Sequence, residues 1–155
     1  MHLLHLFFRA LDKISPAEIA YAHCDIPCGI YDPHHAQMAA HTVIRMNTLI
    51  NDLPKLTPEM TPEQRQDTLN KLQRYIAVKE QHAEICKHEI RIIWGDYFKP
   101  EHAEKFPELH NLVWKIMKLA SKARQEINLQ VSEELLENVN TVSYTHLTLP
   151  TTPYV

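Results

Sequence analysis

Apolar side chains recur every three or four positions through the middle of the chain, and this spacing predicts amphipathic helices. The first helix is predicted to begin at Asp32-Pro33, where the aspartate can cap the helix and the proline suits its first position. Pro54 and Pro58 then interrupt the chain. The apolar face of this helix consists of Ala39, Val43, Met46, Ile50 and Leu53.

A longer helix is predicted after Thr61, because the run from Thr61 to Gln64 has the form of a capping box with a proline inside it. Gly95 and Pro100 bound its end. Its core positions follow heptad spacing and are apolar except at Lys79. These positions are Leu69, Leu72, Ile76, Lys79, Ala83, Cys86, Ile90 and Ile93.

Two further helices are predicted in the last third of the chain. The third begins at Pro100 or Pro107, and its apolar face consists of Leu109, Leu112, Ile116, Leu119 and Ala123. The apolar face of the fourth consists of Val131, Leu135, Val139 and Val142. Strand-like alternation is weak throughout, so the pattern predicts an all-α fold, an antiparallel four-helix bundle.

The two ends of the chain differ from this helical middle. Residues 1–22 start apolar and end in Ala20-Tyr21-Ala22, but charged residues interrupt the apolar stretch that a secretory signal needs. We expect a removable leader of another kind. Residues 143–155 contain no Lys, Arg, Asp or Glu, and the helical pattern stops there. We therefore expect a domain over residues 23–142 and a disordered or non-native tail.

Composition narrows the possible functions of this 155-residue chain. Its net charge of −3 offers no basic excess for a nucleic-acid backbone. No apolar run approaches the ~18 residues of a membrane span. Two glycines are few for a phosphate-binding loop or a dinucleotide-binding turn. Three cysteines cannot all pair, and eleven histidines suggest metal chemistry.

The candidate chemistry lies just before the first helix, at His23, Cys24 and Cys28. Imidazole and thiolate donors suit late transition metals. Pro27 and Gly29 flank Cys28, so the backbone can turn sharply and bring both sulfurs to one centre. A structural zinc site normally needs four ligands, and only three side chains are present here. The remaining thiol, Cys86, occupies a core position and is expected to be a buried apolar residue.

Residues 23–33, HCDIPCGIYDP, resemble the nickel hook of the nickel-containing superoxide dismutases. A second match follows at residues 94–100, WGDYFKP, and continues at 106–110, FPELH. The resemblance covers about residues 23–142 and implies a helical bundle that is preceded by an N-terminal metal-binding hook loop.

The same resemblance implies one nickel ion per chain. Cleavage between Ala22 and His23 would free an α-amino group. The nickel ligands would then be that amine, the His23 imidazole, the Cys24 amide nitrogen, and the thiolates of Cys24 and Cys28. Nickel would alternate between Ni(II) and Ni(III) as superoxide is converted into dioxygen and hydrogen peroxide.

Residues around the metal are also implied by the resemblance. Tyr31 would stand at the approach to the metal, and Asp25 would brace the loop. Tyr97 would orient Tyr31, while Lys99 would attract the anionic substrate. Each of these four could instead be an ordinary surface or interface residue.

This chain departs from the family's pattern at two positions. A glutamate and an arginine that support the hook histidine in well-known members correspond to Ala39 and His82 here. A different support for the imidazole is therefore expected, and His82 itself is one candidate.

The resemblance further implies a homohexamer and a maturation protease, and free thiolates suit a reducing cytoplasm. Two other hypotheses remain open at this point. One is a thiol redox protein using Cys24 and Cys28, whose spacing differs from the C-x-x-C motif. The other is a helical bundle that buffers metal. The remaining histidines, His102 among them, are expected to face solvent or an interface.

Overall fold

A computed structural model describes the backbone of residues 31–148 and the side chains as far as Thr145. Over this range the chain is helical, without a strand. The helices are α1 (His34–Asn51), α2 (Pro62–Ile92), α3 (Pro100–Lys105), α4 (Leu109–Gln125) and α5 (Leu129–Thr148), and a π-helical turn (Ile93–Tyr97) follows α2 directly. The all-α prediction is confirmed.

Hydrogen bonds between α1 and α5 show that these helices run antiparallel. Near the start of α1, Gln37 Nε2 donates to Asn140 Oδ1, late in α5, at 2.9 Å. Near the end of α1, Asn47 Nδ2 donates to Ser132 Oγ, early in α5, at 2.6 Å. The order of partners is reversed between the two helices, as the predicted bundle requires.

The α2–α4 pair has the same reversed order. Arg124 Nη1 lies 2.9 Å from Glu84 Oε2, and Lys87 Nζ donates to Ser121 Oγ at 3.3 Å. Each of the four long helices packs against two of the other three: α1 against α2 and α5, and α4 against α2 and α5. This is the predicted antiparallel four-helix bundle.

The core lies where the apolar faces meet. In α5 all four predicted positions are buried, and in α4 only Leu112 is partly exposed. Cys86 and Ile90 are fully buried in α2, and Lys79 is 2% exposed, as its heptad position indicated. The Lys79 ammonium donates to the Glu126 carbonyl oxygen, just after the end of α4. Burial lowers the pKa of Lys79 from its ordinary value of 10.5.

The first half of α2 does not join this core, although the heptad spacing continues through it. Lys79 contacts Glu126 in the α4–α5 connection, so residues 62–78 lie beyond the end of α4. At 1.5 Å per residue this α2 extension is about 26 Å long. Thr68 is its only buried side chain. The expectation that Leu69, Leu72 and Ile76 share the core is therefore wrong, because no α4 or α5 residues lie opposite them.

The helix boundaries refine the sequence predictions. The Thr61 capping box is confirmed by hydrogen bonds from Gln64 N–H to Thr61 Oγ1 at 3.2 Å and from Thr61 N–H to Gln64 Oε1 at 3.0 Å. Both prolines proposed for the third helix mark starts, since Pro100 begins α3 and Pro107 comes just before α4.

The last helix runs past the predicted end at Val142 and reaches Thr148. Ser143 and Thr145 are buried on its inner side. The Thr145 hydroxyl donates to the Thr141 carbonyl four residues earlier, which satisfies a polar group inside the bundle. Residues 143–148 are thus helical, and small hydroxyl side chains fit the inner face where the pattern lacked apolar residues. The expectation of a disordered or non-native tail stays a prediction. Among the described helices, none is long and apolar enough to cross a membrane.

Lys79 provides a test of this packing. We expect Lys79→Met to lower the free energy of unfolding by about 1 kcal/mol at neutral pH, because the bond to the Glu126 carbonyl is lost. The pKa of Lys79 lies below 10.5 in the folded state and is about 10.5 in the unfolded chain. Between these two pKa values the unfolded chain binds more protons than the folded chain, so wild-type stability rises with pH in that window. The deficit of the variant should therefore grow as the pH approaches 10.5. Urea unfolding at pH 7 and pH 9.5 measures it, and a deficit that shrinks would contradict the assignment.

Candidate metal centre

The structure covers only part of the predicted site. The four hook residues lie outside the described range: His23, Cys24, Asp25 and Cys28. Tyr31, Tyr97 and Lys99 are described, and they lie at the end of the bundle where α1 begins and α2 ends. The geometry of this end can therefore be built from its own residues.

A π-helical turn at Ile93–Tyr97 closes α2 and determines where Tyr97 lies. Ile93 is buried in the core and anchors the turn, while the Phe98 N–H donates to the Ile93 carbonyl at 3.3 Å, five residues back. Such a turn holds an extra residue compared with an α-helical turn, so the following side chains point in a new direction. Isolated π-turns within α-helices occur frequently at functional sites.

Tyr97 is the centre of an aromatic cluster. Its ring centroid lies 5.7 Å from that of Tyr31, 5.3 Å from Phe98 and 5.9 Å from His102. The Tyr31 and Tyr97 planes are inclined at 56°, and the His102 ring stacks on Tyr97 at 29°. Aromatic pairs at these separations stabilise one another beyond simple burial. The structure thus brings together the two tyrosines that the sequence singled out.

Lys99 is exposed and immediately precedes α3. Its backbone N–H donates to His102 Nδ1 at 3.1 Å, and its carbonyl accepts from the His102 N–H at 2.9 Å. Its side chain adds a positive charge at the residue that follows Phe98 of the aromatic cluster. A positive charge beside an access route raises the local concentration of a small anion.

The sequence patterns gave His102 no role beyond facing solvent or an interface. It is half-buried and contacts both Tyr97 and Lys99. The sequence did contain a signal for this role. Lys99 immediately precedes Pro100 at the start of α3, and His102 lies three residues after Lys99. In a capping box this position carries the side chain that accepts the first backbone N–H.

The two positions that depart from the family's pattern behave differently. Ala39 is 2% exposed in the core and has no polar side-chain atom. His82 is half-buried, and its Nδ1 lies 2.8 Å from the Val78 carbonyl oxygen. Because a carbonyl only accepts, the proton is on Nδ1, and Nε2 is the nitrogen that accepts when the ring is neutral.

Cys86 is fully buried, as predicted. Burial raises the pKa of its thiol to about 12, and the nearby Glu89 carboxylate adds to the shift. A thiol with such a pKa is neither a ready metal ligand nor a nucleophile at neutral pH. Within residues 31–145, no three His, Cys, Asp or Glu side chains converge as a metal site. The chemistry of the remaining donors, one imidazole and two thiols in the hook, suits a late transition metal such as nickel.

Comparison with known proteins covers both the hook and the bundle. The family model for nickel-containing superoxide dismutases matches residues 18–148, which include the hook. A nickel superoxide dismutase of Streptomyces coelicolor is 38% identical over 112 residues, 71% of this chain and 74% of that relative. The enzyme of Streptomyces seoulensis is 36% identical over 118 residues, which cover 76% and 80% of the two chains.

Solved structures give the same answer for the fold. A native nickel superoxide dismutase superposes with a TM-score of 0.65 at 32% identity, covering 81% of this chain and 97% of that one. A structure with the nickel ligation of the oxidised state superposes with a TM-score of 0.68, also at 32% identity, covering 81% and 96%. The family match favours the superoxide dismutase hypothesis over the thiol redox and metal-buffering alternatives.

The burial of Cys86 predicts its reactivity. In a chain with both Cys24→Ser and Cys28→Ser, Cys86 is the single thiol, and we expect a thiol reagent at pH 8 to modify it only after denaturation. The neutral thiol is shielded in the folded protein and its pKa is about 12. The absorbance of the released reagent measures the extent of modification, which is compared between buffer and a urea concentration that unfolds the protein. Rapid modification of the native chain would contradict this environment.

Proposed function

Since the chain belongs to the nickel-containing superoxide dismutase family, we propose that its residues 23–28 hold the nickel and that the described end of the bundle controls access to it. The chain is an oxidoreductase that acts on superoxide, and its metal is nickel. The match of the family model across both the hook and the bundle is the observation that carries this conclusion.

The proposed nickel ligands all come from the first and second residues of the mature chain and from Cys28. They are the α-amino and imidazole nitrogens of His23, the amide nitrogen and thiolate of Cys24, and the thiolate of Cys28. Nickel supplies one-electron exchange between Ni(II) and Ni(III) when bound, and anionic amide and thiolate donors favour the higher state. Cys86 does not compete as a ligand, because its thiol is buried and protonated.

Removal of residues 1–22 is part of this proposal. In the full-length chain the His23 nitrogen is a peptide amide, and no primary amine is available at that position. A maturation protease would cut between Ala22 and His23. The mature chain would then carry the hook at its start, the four-helix bundle after it, and a tail beyond the last helix.

The chain's own residues have distinct proposed roles around the metal. Tyr31 limits the approach to the centre, and Asp25 braces the hook through backbone hydrogen bonds. Tyr97 holds the Tyr31 ring through the contact at 5.7 Å. Lys99 attracts superoxide through its exposed ammonium. The aromatic cluster is the structural support for these roles, because it fixes one tyrosine against the other.

A homohexamer in the cytoplasm completes the proposal. Several large apolar side chains remain exposed on the single chain, which is typical of surfaces that pack against other subunits. They are Met38, Leu56, Leu69, Trp94, Trp114, Ile127 and Tyr144. A reducing compartment would keep both hook thiols available for the metal.

The hook is tested by replacing its thiols. We expect Cys24→Ser and Cys28→Ser each to abolish both nickel binding and superoxide turnover, because a hydroxyl is a poor soft donor. Cys86→Ala is the matched control and should retain about one nickel per chain and full turnover. Metal analysis and pulse radiolysis measure the two properties, and mass spectrometry should find a mature chain that begins at His23. Turnover in either serine variant, or an active chain that retains residues 1–22, would contradict the proposal.

The contact between the tyrosines is tested by Tyr97→Ala. We expect nickel to remain bound and kcat/KM to fall by roughly 3- to 10-fold, less than the ~100-fold of a 1 Å misplacement at a reacting centre. Tyr75→Ala is the control, since this tyrosine lies on the α2 extension, at the opposite end of α2 from Tyr97. Loss of nickel from the Tyr97 variant would instead make the ring a structural support of the hook, and unchanged kcat/KM would remove its role altogether.

A further inference from the structure

His102 contacts two residues of the proposed site with different parts of its side chain. Its Nδ1 accepts the Lys99 backbone N–H at 3.1 Å. One face of its ring stacks on Tyr97, with centroids 5.9 Å apart and planes at 29°. Phe98 meets the same imidazole edge-on, with centroids 6.2 Å apart. A single imidazole therefore joins the aromatic cluster to the residue that carries the positive charge.

The hydrogen bonds define the state of this ring. A backbone N–H can only donate, so Nδ1 is unprotonated and the proton of the neutral ring is on Nε2. The His102 backbone N–H donates in turn to the Lys99 carbonyl at 2.9 Å. His102 thus bonds to both backbone polar atoms of Lys99, and the Lys99 carbonyl also accepts the Ala103 N–H at 3.2 Å.

This double attachment matters because α3 is only six residues long. A helix of this length has little stability of its own, so its capping bonds carry much of its order. The root of the Lys99 side chain moves with this cap. The same residue, His102, therefore supports both the direction of the Lys99 ammonium and the position of Tyr97.

We propose that His102 is a positioning residue for superoxide turnover, which orients Lys99 through Nδ1 and Tyr97 through its ring. This inference rests on the proposed roles of Lys99 and Tyr97. His102 does not touch the substrate. It acts through the two residues that it holds.

Two substitutions separate the two contacts. His102→Gln keeps a hydrogen-bond acceptor at the capping-box position but removes the ring. His102→Phe keeps a ring that can stack on Tyr97 but has no acceptor for the Lys99 N–H. His88→Gln is the control, because His88 is an exposed histidine on α2 and lies outside the π-turn and α3.

The experiment measures kcat/KM for superoxide by pulse radiolysis at low and high ionic strength, on the processed, nickel-loaded protein. We expect His102→Phe to lower kcat/KM at low salt about 3-fold and to weaken its salt dependence, as Lys99→Met should, because guidance of an anion by an exposed charge is screened by salt. His102→Gln should keep the salt dependence and lower kcat/KM to the value of Tyr97→Ala. Nickel content should stay the same in every variant, and His88→Gln should match wild type.

If both His102 variants keep the wild-type kcat/KM and salt dependence, the inference is overturned. Loss of nickel from either variant would also overturn it, because His102 would then be a purely structural support. If Lys99→Met loses the salt dependence and His102→Phe keeps it, His102 does not position Lys99, although the proposed role of Lys99 stands. If Lys99→Met keeps the wild-type salt dependence, the proposed role of Lys99 itself fails.

Discussion

Close packing of alanine-rich helix faces is the constraint on which the rest of the structure depends. Ala36 and Ala40 in α1, Ala83 in α2, and Ala120 and Ala123 in α4 are all completely buried. Small side chains let helix backbones approach closely, so a shift along the axis by one residue would bring larger groups into the same space. The start of α1 and the end of α2 are thereby held at one end of the bundle, where Tyr31 meets Tyr97.

The sequence predicted the helices well because periodicity and capping are local signals. Thr61 and Gln64 form the predicted box, and Cys86 and Lys79 occupy the predicted core positions. It failed where the outcome depends on the length of other helices. The heptad spacing continues through Leu69, yet that side chain is 40% exposed, because α4 ends and α5 begins before the bundle reaches it. Ser143 showed the opposite failure, since polarity alone hid a buried position.

The candidate site was predictable only in part, for a related reason. The hook could be identified because its donor atoms follow one another along the chain. The support given by His102 depends on a π-turn and on a six-residue helix, which place the imidazole against Tyr97. Neither element has a distinctive sequence pattern, because Trp94-Gly95-Asp96 reads as an ordinary helix end. The Tyr31–Tyr97 pairing also joins residues that are far apart in the chain, and only the fold brings them together.

The α2 extension, residues 62–78, gives the molecule a region where its length can vary. This segment buries only Thr68, so whole turns can be inserted or deleted there without repacking the bundle. The aromatic cluster around Tyr97 would not be affected, since it lies at the opposite end of α2. Evolution can therefore change the length of one end of α2 while the cluster at its other end is preserved.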